Sequence, residues 1–299
     1  MKSKKTTNFS ILRWMLWVIL ILYVVSMLFP FVWALLTSVK SYEEYSILEN
    51  IIGFPKKMGF AEIFNNYKEA WTYGYADAVV DGQMMYFTIP TQFINSLIYS
   101  IGCMITATLT PCLTAYTTAR YNYKFSKVVY NIVIIAMILP VVGSLPSEVE
   151  LTRALGTYDT FWGLWIQKAN FLGPYFLIFF AQFKMIPKEY TEAARIDGAS
   201  EFYAMTRVIL PLAKSTIGTV AILKFVEFWN DYQVPMVFLP SKPVLAYGMF
   251  QFSQRVGQVV SSVPMKISYM VVVTLPILVL FLAAHKRLMG NISIGGLKG

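Results

Sequence analysis

Pro187-Lys188-Glu189-Tyr190-Thr191-Glu192-Ala193-Ala194-Arg195-Ile196-Asp197-Gly198-Ala199-Ser200, running on to Val208-Ile209-Leu210-Pro211, is a polar, helix-forming island between two long apolar segments. A chain that is otherwise mostly membrane carries such an island when something soluble must grip it. Read locally, Pro187 suits the first turn of a helix and Gly198 its left-handed stop. Ser200 is placed to cap a second helix, with Glu201 at that helix's positive end. The second helix ends before Pro211. The spacing predicts a helix–turn–helix outside the bilayer, with small Ala193 and Ala194 allowing a partner to approach closely.

Outward from the island, the composition fixes the class. Of 299 residues, 57% are hydrophobic and 14% charged, where a soluble domain carries about a quarter charged. The apolar residues fall in runs of about 20, the length of a membrane-spanning helix. Six spans are expected, at 12–36, 92–118, 128–147, 160–183, 214–238 and 265–285. The run after Lys2, Lys4 and Lys5 is too long for a signal-peptide core, so it is read as the first span. Pro30, Pro111, Pro140 and Pro276 fall inside spans, where neighbouring helices re-satisfy the freed carbonyls. Pro140 and Pro146 predict a kinked third span lining a cavity or packed on protein.

The net charge of +9 sits at span ends, which argues for topology and against nucleic acid. The N-terminus (Lys2, Lys4, Lys5, Arg13), the loop after span two (Arg120, Lys124, Lys127) and the C-terminal end (Lys286, Arg287, Lys298) are basic. Positive residues mark the cytoplasmic side, so both termini, and the polar island with them, are expected inside. The largest outside segment, 41–91, mixes Glu43, Glu44, Glu49, Glu62, Glu69, Asp77 and Asp81 with Tyr67, Trp71, Tyr73 and Tyr75, and an amphipathic helix is expected around 60–72. A second outside loop, near 239–264, is polar. Cys103 and Cys112 share one apolar segment, nine residues apart, too far along a helix rising about 1.5 Å per residue to bridge. One histidine, His285, and no Cys-x-x-Cys leave no metal-site pattern.

Glu192-Ala193-Ala194, three residues, Gly198, nine residues, Val208, one residue and Leu210-Pro211 resemble the cytoplasmic "EAA" signature of ABC importer permeases. Val208 stands where that family usually has Ile. Asn95-Ser96-Leu97, Ala115-Tyr116 with Ala119-Arg120, Trp229-Asn230-Asp231 before Pro235, and the tail from Lys286-Arg287 to Gly295-Gly296-Leu297-Lys298-Gly299 resemble the carbohydrate branch, the smaller six-span partner of the maltose-transporter type. The resemblance spans about 12–299; the loop 41–91 is longer than that type leads one to expect.

The resemblance implies an all-α membrane protein of the type I ABC importer permease fold: one transmembrane domain over 1–299, with an extracytoplasmic loop (41–91), a cytoplasmic coupling-helix loop (185–213) and a cytoplasmic tail (286–299). It implies a bacterial or archaeal cell-membrane protein that carries sugar or oligosaccharide and catalyses no bond chemistry. ATP and magnesium belong to a partner ATPase, and this chain has no Gly-x-x-x-x-Gly-Lys-Ser/Thr loop. Implied partners are a second permease, two ATPase subunits, an extracytoplasmic solute-binding protein, the sugar, and membrane lipid. Glu192, Ala193, Ala194, Asp197, Gly198, Leu210 and Pro211 are implied at the ATPase contact, with Glu192 free to pair with Arg195, and Gly295, Gly296 and Lys298 at a second contact.

Within the spans, Lys224, Glu227 and Asp231 share one helix face, and intramembrane charges commonly face a watery cavity. With Trp229 and Asn230 they form a candidate translocation path, Glu227 or Asp231 bonding sugar hydroxyls; a Lys224–Glu227 pair that merely orients the helix is the other reading. Lys168 is similar. Trp162, Trp165, Tyr175, Phe176 and Phe179 are read either as sugar-stacking faces or as an interfacial belt. A permease for a peptide or polyamine is an alternative. An intramembrane transferase would need Glu148, Glu150, Glu227 and Asp231 to converge, and no catalytic pattern joins them.

Overall fold

Helix dominates a chain whose apolar runs can satisfy their own backbone only by i→i−4 bonding inside lipid. The computed structural model describes residues 4–47, 50–56, 60–80, 82–121, 123–139, 143–255 and 262–292. Two compact units emerge, residues 1–75 with 251–274, and 76–250 with 275–299.

In the first unit, helix α1 (Lys4–Ser38) runs through Pro30 without a break. Every side chain from 13 to 32 is exposed, as expected of a helix whose neighbour is lipid. Its C-terminal end is held differently. Ser38 is buried, and its carbonyl accepts from Asn66 Nδ2 (2.8 Å) and the Ser268 hydroxyl (2.9 Å). Asn66 lies on α2 (Phe60–Tyr73), the amphipathic helix expected around 60–72. Buried Lys40 donates to the carbonyls of Asn50 (2.8 Å) and Ile51 (3.1 Å), which satisfies an ammonium that burial would otherwise penalise.

The second unit opens with a feature not expected from the sequence, an antiparallel hairpin of β1 (Ala76–Val80) and β2 (Gln83–Phe87). Gly82, at φ +76°, supplies the left-handed residue that a two-residue turn demands. The described residues are therefore not all helical. Helix α3 (Ile89–Arg120) follows and is the axis of the unit. Its buried face, with Ser96, Tyr99, Cys103, Ala107, Pro111 and Ala115, recurs every three or four residues and is largely small. Small residues let helices approach closely in a membrane, where lipid removes the hydrophobic drive. α3 packs on α6 (Phe161–Gln167), α7 (Pro174–Met185) and α11 (Lys214–Asn230). Its opposite face, with Ile94, Ile98, Ile101, Ile105, Leu109 and Leu113, is exposed.

Among the described residues, two segments alone are long and apolar enough to cross a bilayer, Arg13–Ser38 and Ile89–Arg120. The third, fourth and fifth expected spans are interrupted, whereas the sixth lies within one continuous helix. The third ends as α4 (Ser126–Ile138); Pro140 lies outside the described residues, and α5 (Leu145–Ala154) begins beyond it with Pro146 in its first turn. The expected span 160–183 is two helices, α6 and α7, separated by residues 168–173. Gly173 takes φ +150° and Pro174 opens α7, so the helix cannot continue through them. The fifth stops at Asn230 and resumes as α12 (Gln233–Phe238). α13 (Leu245–Gln254) occupies part of the loop near 239–264 that is expected outside, and α14 (Val263–Ile292) closes the described chain.

Candidate functional site: the polar loop and an intramembrane cavity

The polar island folds as a helix, a turn and a second helix. The first, α8 (Glu189–Ile196), starts after Lys188, so Pro187 lies outside it and not in its first turn. Gly198 stops it at φ +79°, the left-handed conformation expected. Ser200 then caps α9 (Glu201–Tyr203), its hydroxyl accepting from the Tyr203 amide at 3.2 Å. The second helix does not end before Pro211. It passes through a π-helical stretch, Ala204–Ile209, into α10 (Leu210–Leu212), and breaks at Ala213 with a 74° bend into α11. Pro211 lacks an N–H and crowds the preceding turn, so the wider π turn is the local accommodation.

Burial sorts the motif residues. Glu192, Ala193, Asp197 and Gly198 are exposed, whereas Ala194 packs inward, so only one of the two alanines lies open to a partner. Ile196 is 86% exposed. Arg195 does not pair with Glu192. It bridges across the turn, Nε to Glu201 Oε1 at 2.6 Å, and Glu201 Oε2 also accepts the Tyr121 hydroxyl at 2.8 Å. The Arg195 bond first and the Tyr121 bond next hold the Glu201 carboxyl below its ordinary range. Burial first, and then its neighbours Tyr116 and Glu201, push the Tyr121 phenol up.

At the end of α3, the Arg120 guanidinium donates to the carbonyls of Ile186 (2.7 Å) and Pro187 (3.2 Å) and to the Thr191 hydroxyl (2.5 Å). In the sequence Arg120 is a topological charge and part of the Ala119-Arg120 resemblance; no local pattern signals a bond to residues this distant in the chain.

The second site is a cavity of about 800 Å³ whose wall includes the interrupted stretch 167–176. Lys224, Glu227, Asp231, Lys168 and Glu148 all line it. Lys224 Nζ bonds both Glu227 oxygens, at 2.8 and 3.1 Å, and lies 4.6 Å from the Tyr175 ring centroid. Glu148 accepts from Ser144 (2.7 Å) and Gln167 (3.1 Å). Asp231 Oδ2 accepts the Tyr99 hydroxyl at 2.8 Å, and Oδ1 accepts the Val234 amide at 3.1 Å. Asp231 thus ties the break between α11 and α12 to α3.

Two of the expected path residues are elsewhere. Trp229 is buried against Phe225 and Phe93, its ring centroid 5.6 and 5.7 Å from theirs. Asn230 Nδ2 donates to the Val226 carbonyl one turn back, at 2.9 Å. Neither lines the cavity. Phe176 lines it, though its side chain is fully buried, as is that of Phe179, which excludes both from an interfacial belt. Gly295, Gly296 and Lys298 lie outside the described residues.

The missed site is a clamp between two loops. Asp159 sits at φ +56°, its carboxylate accepting from the amide and hydroxyl of Ser241, with Lys242 Nζ 3.5 Å away. The Tyr158 hydroxyl meets the Val237 carbonyl beside it at 3.0 Å.

Apolar helices around a charged, hydrogen-bonded cavity, joined to a polar loop held at both ends, define a membrane transport subunit. Residues 107–289 match the model of the binding-protein-dependent transport system inner membrane component family, and the chain belongs to that family. The diacetylchitobiose uptake system permease protein NgcG of Streptomyces coelicolor is 28% identical over 286 residues, 93% of this chain and 86% of that one. The arabinooligosaccharides transport system permease protein AraQ of Bacillus subtilis is 27% identical over 300 residues, 99% of each chain. A chain from the crystal structure of a bacterial ABC transporter involved in import of the acidic polysaccharide alginate shares the fold, with a TM-score of 0.72 and 20% identity, over 96% of this chain and 98% of that chain. The chain is a non-catalytic membrane subunit of an ABC importer.

Proposed function

We propose that the chain is one of two permeases of a carbohydrate importer, forming half of the path for a sugar or oligosaccharide and taking its driving motion from two cytoplasmic ATPase subunits. A solute-binding protein delivers the sugar from outside. Glu192, Ala193, Asp197 and Gly198 form the ATPase-facing surface, with Ala194, Leu210 and Pro211 shaping the turn behind it. The tail around Gly295, Gly296 and Lys298 reaches the ATPase pair separately. Lys224, Glu227 and Asp231 border the path.

One observation carries this reading. An eight-residue helix on a polar island exposes Glu192, Ala193 and a nearly bare Ile196, a small face of mixed character suited to a protein groove. The sugar class rests on relatives that carry diacetylchitobiose and arabinooligosaccharides. Glu192→Lys and Gly198→Asp should each abolish uptake of radiolabelled oligosaccharide in cells and reduce ATPase recovered with the tagged complex. Normal uptake and normal ATPase recovery in both variants would remove the coupling role. Uptake of a dipeptide or spermidine, with none of arabinotriose, raffinose or diacetylchitobiose, would overturn the sugar class.

A further inference from the structure

Arg120 and Tyr121 are consecutive residues at the C-terminal end of α3, and between them they hold both sides of the polar turn. Arg120 takes the incoming strand of chain. Its guanidinium bonds the carbonyls of Ile186 and Pro187, which no helix satisfies, and the hydroxyl of Thr191 on the first turn of α8. Tyr121 takes the outgoing side through Glu201, which also receives Arg195 from the last turn of α8. The three Arg120 acceptors lie 66 to 71 residues away in sequence, and the Tyr121 acceptor lies 80 away. None of these bonds is needed to form either helix.

A guanidinium presents a rigid fork of donors, so three acceptors fix an orientation as well as a distance. Thr191, one of the acceptors, is buried, while Ala193, two residues on, stays open. Glu192 lines the same small pocket as Arg120 and Thr191, so the grip and the ATPase-facing surface proposed above adjoin at Glu192 and part at Ala193. α3 is also the helix on which α6, α7 and α11 pack, and its buried Tyr99 bonds Asp231 at the cavity. A single continuous helix thus connects the polar turn to the cavity wall.

We propose that Arg120, assisted by Tyr121, is the positioning residue that makes α8 and α3 move as one body, so that displacement of the polar turn by the ATPase is delivered to the cavity through α3. This rests on the coupling reading above. Without Arg120, α8 keeps its exposed face and its attachment to α7 and α9, but its displacement is absorbed in the turns at 186–188 and 197–200.

The test uses the whole complex, purified through a tag on this chain with the ATPase that accompanies it. Spin labels at Tyr190→Cys and Tyr123→Cys, both exposed positions, report the distance between α8 and the end of α3. Distances are recorded without nucleotide and after trapping with ATP and vanadate. One narrow distance, the same in both states, is expected with Arg120 present. Arg120→Ala should lose it, giving a second population after trapping; Arg120→Lys should restore it in part, and Tyr121→Phe should broaden it less. An unchanged single distance in Arg120→Ala, in a complex that still recovers ATPase, would overturn the proposal. Maleimide protection of Ala193→Cys by the ATPase is scored in parallel. If the ATPase gives no protection even with Arg120 present, the coupling reading fails; if protection holds and Arg120→Ala is silent, only the present inference fails.

Discussion

Gly102 shows what a single missing carbon permits. It faces the Trp165 indole across the α3–α6 contact. A Cβ built there would fall 2.6 Å from Cδ1 of the ring and closer still to Nε1. The obstacle is a flat bicyclic ring and not the tip of a flexible chain, so either Trp165 or α6 must shift. Overpacking of this kind costs about 1–3 kcal/mol. Gly102→Ala is therefore expected to lower the midpoint of thermal unfolding in detergent, while Gly82→Ala, with nothing near its Cβ, tests the other penalty, a left-handed backbone alone. A midpoint for Gly102→Ala equal to that of the unmodified chain would show that the indole swings away freely. The charged residues of the cavity make the complementary point. Lys224, Glu227, Asp231 and Glu148 all meet partners on the protein; Glu227 is half exposed and the other three are partly buried, so pairing offsets a partial desolvation. Side-chain identity along one helix face foretold the Lys224–Glu227 pair. It could not foretell that Trp229 and Asn230, neighbours in the same motif, would turn to the core and to their own backbone.

The scale of elements is where chain reading and fold part most clearly. Hydropathy locates apolar segments but is blind to backbone breaks inside them, so 160–183 read as one span although Gly173-Pro174 divides it. The hairpin at 76–87 was missed for a different reason. Its turn lies in a loop rich in acids and aromatics, where alternation is short and weak. Local punctuation fared better: Gly198 and Ser200 act as their chemistry demands. Pro211 did not, because a π turn absorbed it.

Two loops joined by tertiary bonds give predictions at this same scale. Asp159 accepts two bonds from Ser241 and faces Lys242. Hydrogen bonds to a charged group contribute about 1.5–3 kcal/mol, so Asp159→Ala should destabilise the chain by about 2–3 kcal/mol, read as earlier thermal unfolding and faster proteolysis between α12 and α13. Asp159→Asn, which tolerates the left-handed backbone, should lose less. No loss in Asp159→Asn would mean that the carboxylate's charge contributes nothing. The Arg195–Glu201 bridge has a pH signature. Its carboxyl is held below the ordinary range, so the stabilisation is full above that range and disappears as pH falls through the lowered value. Both side chains are about half exposed, which makes the effect small and salt-sensitive. Amide exchange at 197–200, corrected for its intrinsic pH dependence, should quicken on acidification in the unmodified chain and be flat in Glu201→Gln. A flat profile in both would remove Glu201 from the turn's stability.

At the scale of the whole molecule, orientation in the bilayer is decided by charge placement, not by packing. Arg120, Lys124 and Lys127 carry the positive charge after α3, with no acid among them. Arg120 is also bonded to the polar turn, so the turn and that basic loop must share a side of the membrane whatever the number of spans. Basic residues favour the cytoplasmic face, so α8 is expected inside, and the positive-inside reading of the sequence expects the 41–91 loop outside. Ala193→Cys should resist a membrane-impermeant maleimide added to intact cells and react in inverted vesicles. Lys68→Cys, exposed on α2, should do the reverse. The native Cys103 and Cys112 are buried, so they leave the background low. Reaction of Ala193→Cys from outside intact cells would put the turn beyond the reach of any ATP-hydrolysing partner, and the importer reading would have to be abandoned together with the role given to Arg120.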